Sequence, residues 1–159
     1  MTSRLLRSFV HGKFIEPSSL PKYELRNAAN DMVVNHFHPS DTFQINAAIA
    51  SSKGAQKKWA AYAPSERSRI LRKAADLLTA KTKELAQLET LDTGRPISET
   101  NVADVTSAVD CLHYYAGIAP SMGGSTVDLP GGSWSYVRRE AIGTTVGIGA
   151  WNYPLQVKV

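Results

Sequence analysis

Near the end of the chain, Val146-Gly-Ile-Gly-Ala150 is apolar at every position, so neither alternating face of an extended segment would be polar. Such a run, entered through Thr144-Thr145, predicts a buried strand. A buried strand needs neighbours at both edges and apolar cover on both faces, which a sheet layered with helices provides. It leads into Trp151-Asn152-Tyr153-Pro154, a polar-aromatic turn of the kind at which α/β folds place ligands. The remaining residues, Leu155–Val159, cannot supply the missing sheet neighbours, so the sequence is expected to be cut off mid-sheet.

Upstream, helices dominate. Phe9-Val10-His11-Gly12-Lys13-Phe14-Ile15 predicts two short strands around a glycine turn, and Glu16–Ser40 predicts loop with a strand or two about Met32-Val33-Val34. Asp41-x-x-Gln44 is a capping-box pattern, followed by Ile45, Ala48, Ile49, Ala55 and Trp59 near helical spacing. Ala63-Pro64 ends that helix, and Ser65 is expected to cap the next, with Ile70, Leu71, Ala74, Ala75 and Leu78 facing inward. The pattern continues through Leu85, Leu88 and Leu91 to Gly94-Arg95-Pro96. A further amphipathic helix carries Val102, Val105, Val109, Leu112, Tyr115 and Ala116 on one face and stops at Gly123-Gly124. Two β-rich runs, Ser125–Leu129 and Ser133–Arg139, flank Pro130-Gly131-Gly132 and predict a hairpin with Trp134, Tyr136 and Arg138 on one side. Helices, hairpin and buried strand together give an α/β class.

Charge and cysteine content narrow the chemistry. The formal net charge of +4 is spread among acidic residues rather than clustered, which gives no footprint for nucleic acid. Cys111 is the single cysteine, so the 159 residues hold no internal disulfide, in keeping with a reducing compartment. No apolar stretch reaches the roughly 18 residues of a membrane span. The basic start, Met1–Val10, faintly resembles a transit peptide, yet its overlap with the Phe9–Ile15 hairpin favours a cytoplasmic protein over a mitochondrial one.

Gly147-Ile-Gly-Ala-Trp-Asn-Tyr-Pro-Leu-Gln156 resembles the segment of NAD(P)-dependent aldehyde dehydrogenases in which a sheet strand runs into a Trp-Asn-(Phe/Tyr)-Pro turn. Collinear with it are Glu66-Arg67 with Ile70-Leu71, Leu88-Glu-Thr-Leu-Asp-Thr-Gly-Arg-Pro96, Tyr114-Tyr-Ala-Gly117, Leu129-Pro-Gly-Gly-Ser133 and Tyr136-Val-Arg-Arg-Glu140. The likeness spans roughly Phe9 to Gln156 and is greatest to the branch that oxidises betaine aldehyde and trimethylaminobutyraldehyde. It implies the N-terminal part of an incomplete Rossmann-like cofactor domain over residues 1–122. It further implies a β-hairpin oligomerisation arm over 123–141, the first strand of the cofactor-binding sheet over 142–159, and a catalytic domain beyond the chain.

The resemblance also implies roles. Asn152 matches the side-chain amide that stabilises the oxyanion, a donor suited to the task because it carries no net charge. From the turn alone, an asparagine there could equally hydrogen-bond its own loop. Ile148, Gly149, Ala150 and Trp151 match the wall that lines NAD or NADP, where small residues let a ligand approach the backbone; a packed strand end would look the same. Tyr153 matches an aromatic that helps box a quaternary ammonium, or else is an amphipathic residue at a domain seam. The family's nucleophilic cysteine, base and phosphate-facing lysine are not matched by any residue here.

Other residues invite over-reading. Cys111, between Val109 and Leu112, is expected to be a small half-buried helix residue rather than a nucleophile. His36 and His38 lack accompanying ligands, so no metal site is expected. Asp92 matches a place where some relatives hold a monovalent cation through the backbone, and a helix-end role explains it as simply. The expectations are an aldehyde-oxidising enzyme by family, inactive and without tight NAD(P) binding as these residues alone, and assembled as a homo-oligomer. Neither nucleic acid nor membrane is an expected partner. The alternative is a non-catalytic interaction fragment that joins full-length subunits through the hairpin. Either way, an uncovered strand threatens a stability margin of only ~5–15 kcal/mol.

Overall fold

The computed structural model describes residues 5–158; Met1–Arg4, where the transit-peptide-like stretch begins, and the terminal Val159 lie outside the described residues. The opening hairpin forms as its sequence dictates. β2 (Phe9–Val10) pairs antiparallel with β3 (Lys13–Phe14), and His11 and Gly12 turn the chain at φ 53° and 77°. Two consecutive positive φ angles match the right-handed twist of a two-residue hairpin. Phe9 and Phe14 face each other edge to face, with ring centroids 5.2 Å apart.

A three-stranded sheet follows, in the order β1 (Leu5–Leu6), β5 (Val33–Phe37), β4 (Tyr23–Arg26). β1 runs parallel to β5, and β4 runs antiparallel to it with an irregularity between Leu25 and Arg26. The Asp41 carboxylate then accepts the Gln44 N–H at 2.8 Å while the Gln44 side chain accepts the Asp41 N–H at 3.4 Å. This closes a capping box at the start of α1 (Thr42–Ala61).

The next helix begins differently from expectation. Ala63, not Ser65, occupies the cap position of α2 (Pro64–Ala80), and no side chain caps it. Pro64 decides this: its fixed φ and missing N–H suit the first helical position, which moves the cap back by two residues. The chain breaks at Lys81 before α3 (Thr82–Thr93), so the long predicted continuation is two helices. Gly94 ends α3 at φ 74°, donating its N–H to the Thr90 carbonyl at 2.9 Å. A Cβ at Gly94 would lie 2.6 Å from the Ala29 nitrogen, so here the helix end meets the β4–β5 turn too closely for any side chain.

A short turn, α4 (Ile97–Glu99), runs into a π-turn over Thr100–Asp104 and then into α5 (Val105–Ile118). The Val105 N–H bonds back to the Thr100 carbonyl, a five-residue step. That wider turn rephases the helix. Of the predicted apolar face, Val105, Leu112 and Ala116 are buried, Val109 is half-buried, and Val102 and Tyr115 are exposed. The buried stripe is Thr100, Asp104, Val105, Ala108, Leu112 and Ala116. It packs against α2, whose Ala75 is buried, and α3, whose Ala86 is buried. Alanines at these positions let the helix axes approach closely.

Beyond α5, β6 (Ser125–Asp128) pairs antiparallel with β7 (Trp134–Val137), and the Leu129 N–H closes the loop onto the Ser133 carbonyl at 2.8 Å. Trp134 and Tyr136 share a side as predicted, with ring centroids 5.8 Å apart. The expected strand at 144–150 does not form: no ladder among the described residues includes it. Val146 and Ile148 are 80% and 96% exposed. Residues 144–150 thus enter no strand pairing among the described residues. The reason is physical: a strand satisfies its backbone only through neighbours, and none flanks this one.

Candidate functional site

The segment 151–158 folds back onto the helices. Its short terminal 3₁₀ turn, Gln156–Lys158, packs on α5, and the Val157 N–H bonds to the Tyr153 carbonyl at 3.1 Å. Within it the two central residues diverge. Asn152 is exposed, whereas Tyr153 is half-buried against Arg95. The Arg95 guanidinium carbon sits 4.4 Å from the Tyr153 ring centroid, and Nη2 donates to the Tyr153 hydroxyl at 3.3 Å. Tyr153, expected as a wall of a substrate box, thus spends its ring face on an internal cation.

Arg95 is itself held from the other side. Nη1 donates to both carboxylate oxygens of Asp104, at 2.8 and 2.7 Å, and Nη2 donates to Glu99 at 3.0 Å. Asp104 is fully buried, four residues before the buried Ala108 on the same helix face, and Arg95 is its counter-charge. Hydrogen bonding to Glu99 is the main reason that the Arg95 pKa is raised, so the cation is firmly retained.

Glu89, on α3, is 5% exposed. Its Oε1 accepts the Leu155 N–H across a long 3.5 Å. Burial pushes the Glu89 pKa up, Asp104 and Asp92 push in the same direction, and the Leu155 amide and Arg95 pull back. Alongside, the Thr90 and Thr100 hydroxyls hydrogen-bond at 2.8 Å, and Thr100 also donates to the Ala86 carbonyl at 3.1 Å. A satisfied polar core thus lies under the turn.

None of Glu89, Arg95 and Asp104 was assigned a role from sequence. A signal existed: Glu89 follows Ala86, and Asp104 precedes Ala108, at helical spacing on otherwise small-residue faces, so each charged group faces the interior. What no spacing reveals is that Arg95 joins them.

On the outer side of the turn, Gly147, Gly149, Ala150, Trp151, Pro154 and Val157, together with Asp92, line a cleft of about 500 Å³. That volume is within the range of small-ligand sites. Ile148 and Trp151 are exposed, at 96% and 87%, and Gly147 has open space where a Cβ would be. Small residues and a bare aromatic face suit a flat cofactor; no basic side chain among the described lining residues faces its phosphates. At Gly149 an added Cβ would come within 2.7 Å of a Val157 methyl, so this glycine permits a close internal contact.

Cys111 is half-buried on α5 and unpaired in disulfide terms. His38 Nδ1 is engaged with the Leu20 carbonyl at 2.7 Å, and no group of metal-ligating side chains occurs among the described residues. No helix among them is long and apolar enough to cross a membrane.

The sequence profile of the aldehyde dehydrogenase family matches residues 14–159. The chain belongs to that family. It is 46% identical over 149 residues to betaine aldehyde dehydrogenase 2 of Rhizobium meliloti (strain 1021), covering 94% of this chain and 31% of that protein. An aldehyde dehydrogenase from Brucella melitensis biovar abortus 2308 superposes with a TM-score of 0.89 at 29% identity, over 96% of this chain and 32% of that one. PnpE in complex with nicotinamide adenine dinucleotide superposes with a TM-score of 0.78 at 29% identity, over 84% of this chain and 28% of that one. The chain therefore spans about a third of the length of such relatives, and its mixture of helices and small sheets matches the N-terminal part of the aldehyde dehydrogenase fold. Full-length members of the family use NAD(P).

Proposed function

We propose that the chain serves NAD(P)-dependent oxidation of an aldehyde to a carboxylic acid, with Asn152 as an oxyanion donor. The observation that carries this is the divergence within the turn: Tyr153 is drawn inward onto Arg95 while Asn152 is left exposed, free to present its amide to a ligand. A neutral N–H donor placed where negative charge develops stabilises that charge without stabilising the uncharged carbonyl equally. Gly149, Ala150 and Trp151, which line the cleft, would hold the cofactor together with the neighbouring exposed Ile148. The cofactor, when bound, accepts the hydride; the chain's own part is to offer it backbone and apolar surface and to aim the Asn152 amide.

The Rhizobium meliloti relative, whose name specifies betaine aldehyde, supports that substrate class. A small aldehyde with a quaternary or primary ammonium fits, although Tyr153 reaches it only by exchanging its Arg95 contact for the substrate cation. These residues alone are expected to bind NAD(P) weakly and to turn over no aldehyde, because Cys111 is embedded in a packed helix with no base assigned to it. A cytoplasmic location fits a chain with one cysteine.

The test grafts residues 14–158 in place of the matching segment of the Rhizobium meliloti enzyme and follows aldehyde-dependent NAD reduction. The graft is expected to oxidise betaine aldehyde, and Asn152→Ala in it to lower kcat about 10²–10³-fold. A folded graft whose kcat is unaffected by Asn152→Ala contradicts the proposal.

A second reading has its own support. The β6–β7 hairpin exposes Val127, Leu129, Trp134, Tyr136 and Val137. Such a surface fits an assembly arm within 123–141 that joins this chain to full-length subunits as a homo-oligomer. Co-purification with a full-length subunit supports it; a clean monomer after mixing contradicts it.

A further inference from the structure

We propose that Arg95 is a positioning residue: clamped by Asp104 at the π-turn, it seats the Tyr153 ring and so sets the direction in which the Asn152 amide leaves the turn. Residues 152 and 153 are adjacent in the chain, so anchoring the Tyr153 ring narrows the backbone geometry from which the Asn152 side chain leaves. The ring is fixed twice, through its face at 4.4 Å and its hydroxyl at 3.3 Å. Arg95 cannot swing to follow a wandering ring, because Asp104 holds Nη1 through both carboxylate oxygens.

Four-residue spacing puts Thr100 and Asp104 on one face of the helical turn, and packing on α3 turns that face inward. Both are fully buried, Asp104 under Arg95 and Thr100 against Thr90 and Ala86. A buried carboxylate is a costly choice where an apolar residue would pack, so its retention has to be explained by what it holds. What it holds is Arg95, and what Arg95 holds is the turn. Glu89 adds a second point of attachment at the Leu155 amide.

The chain of contacts is therefore α5 through Asp104 to Arg95, Arg95 to Tyr153, and Tyr153 to Asn152 through the backbone. The catalytic meaning of this chain rests on the oxyanion role of Asn152, but the positioning itself does not. Its test reads geometry rather than turnover, so that either idea can fail alone.

The measurement is the side-chain amide resonance pair of Asn152 in the ¹⁵N–¹H spectrum of the full chain, with hydrogen exchange at the Leu155 and Val157 amides. Arg95→Lys keeps a cation over the ring and is expected to retain most of the wild-type positions. Arg95→Met paired with Asp104→Asn removes both charges without stranding either, which keeps α5 folded. It is expected to shift the Asn152 resonances away from their wild-type positions and to speed Leu155 and Val157 exchange about tenfold, the loss of one cation–π contact. Tyr153→Leu is expected to reproduce this with Arg95 and Asp104 intact. Unchanged Asn152 resonances in the folded double variant overturn the proposal, as does loss of the signature in Arg95→Lys equal to that in the double variant. Should the double variant unfold, Tyr153→Leu decides alone: wild-type Asn152 resonances there overturn it.

Discussion

Two stretches of this chain are rich in apolar side chains and meet opposite fates. Between Pro64 and Ile118, some gather into a core of Ala75, Ala86, Val105, Ala108, Leu112 and Ala116, while Leu77, Leu88 and Val102 stay outside it. Between Gly124 and Trp151, Val127, Trp134, Tyr136, Ile142, Val146 and Ile148 all stay exposed. The difference lies in the backbone. A helix satisfies its own N–H and C=O groups and needs only one neighbour to cover a stripe, so α2, α3 and α5 complete one another. An extended run must borrow hydrogen bonds from other strands, and 144–150 finds none among the described residues. The Trp151–Pro154 turn stands at the border of these regimes, after the unpaired segment in sequence but docked on the helices in space.

The comparison breaks most readily at its charged centre. Arg95→Ala leaves the Asp104 carboxylate buried without a counter-charge, and chemical denaturation should register a loss of about 3–5 kcal/mol. Val146→Asp, in the exposed stretch, should stay within about 0.5 kcal/mol of wild type. Equal losses at the two sites would erase the distinction between the regions.

Glycines sharpen it at smaller amplitude. Gly94→Ala forces a side chain into positive φ and against the Ala29 backbone, and should destabilise by about 1–3 kcal/mol. Gly147→Ala enters open space and should leave the midpoint almost unmoved. A harmless Gly94→Ala would mean that α3 does not end against the β4–β5 turn.

The smallest effect concerns pH. Burial raises the Glu89 pKa above its ordinary value of 4.5. A raised acid favours the folded state while protonated in both states, so its contribution is fully present below 4.5 and is lost as pH rises through the folded value. Glu89→Gln removes that loss. The melting-temperature difference, variant minus wild type, should therefore grow as pH climbs from below 4.5 through the raised value. A difference constant with pH would show that Glu89 is not titrating in a buried site.

Legibility in the sequence follows the same division. The Asp41–Gln44 capping box, the Gly94 stop and the Phe9–Phe14 hairpin are local devices, and each appears where the residues dictate. Ser65 misled because the neighbouring proline outweighs a good capping side chain. The face of α5 was only partly legible, since nothing in an apolar pattern announces the π-turn that rephases it. At the site, the turn at Trp151–Pro154 was legible in the sequence, and Asn152 was singled out by resemblance. Its support was not, because Arg95 meets Tyr153 across 58 positions and Glu89 meets Leu155 across 66. The strand at 144–150 was legible as composition, yet composition cannot supply the partners that make a strand.

The central claim is that the helical body seats the Asn152-bearing turn while the apolar segment before it stays apart. Residue-resolved amide hydrogen exchange on the full chain tests this directly. The amides of α2, α3 and α5 should be strongly protected, those of Leu155 and Val157 measurably so, and those from 144 to 150 should exchange at near-unstructured rates. Protection across 144–150 matching that of α5, or none at Leu155 and Val157, would contradict it.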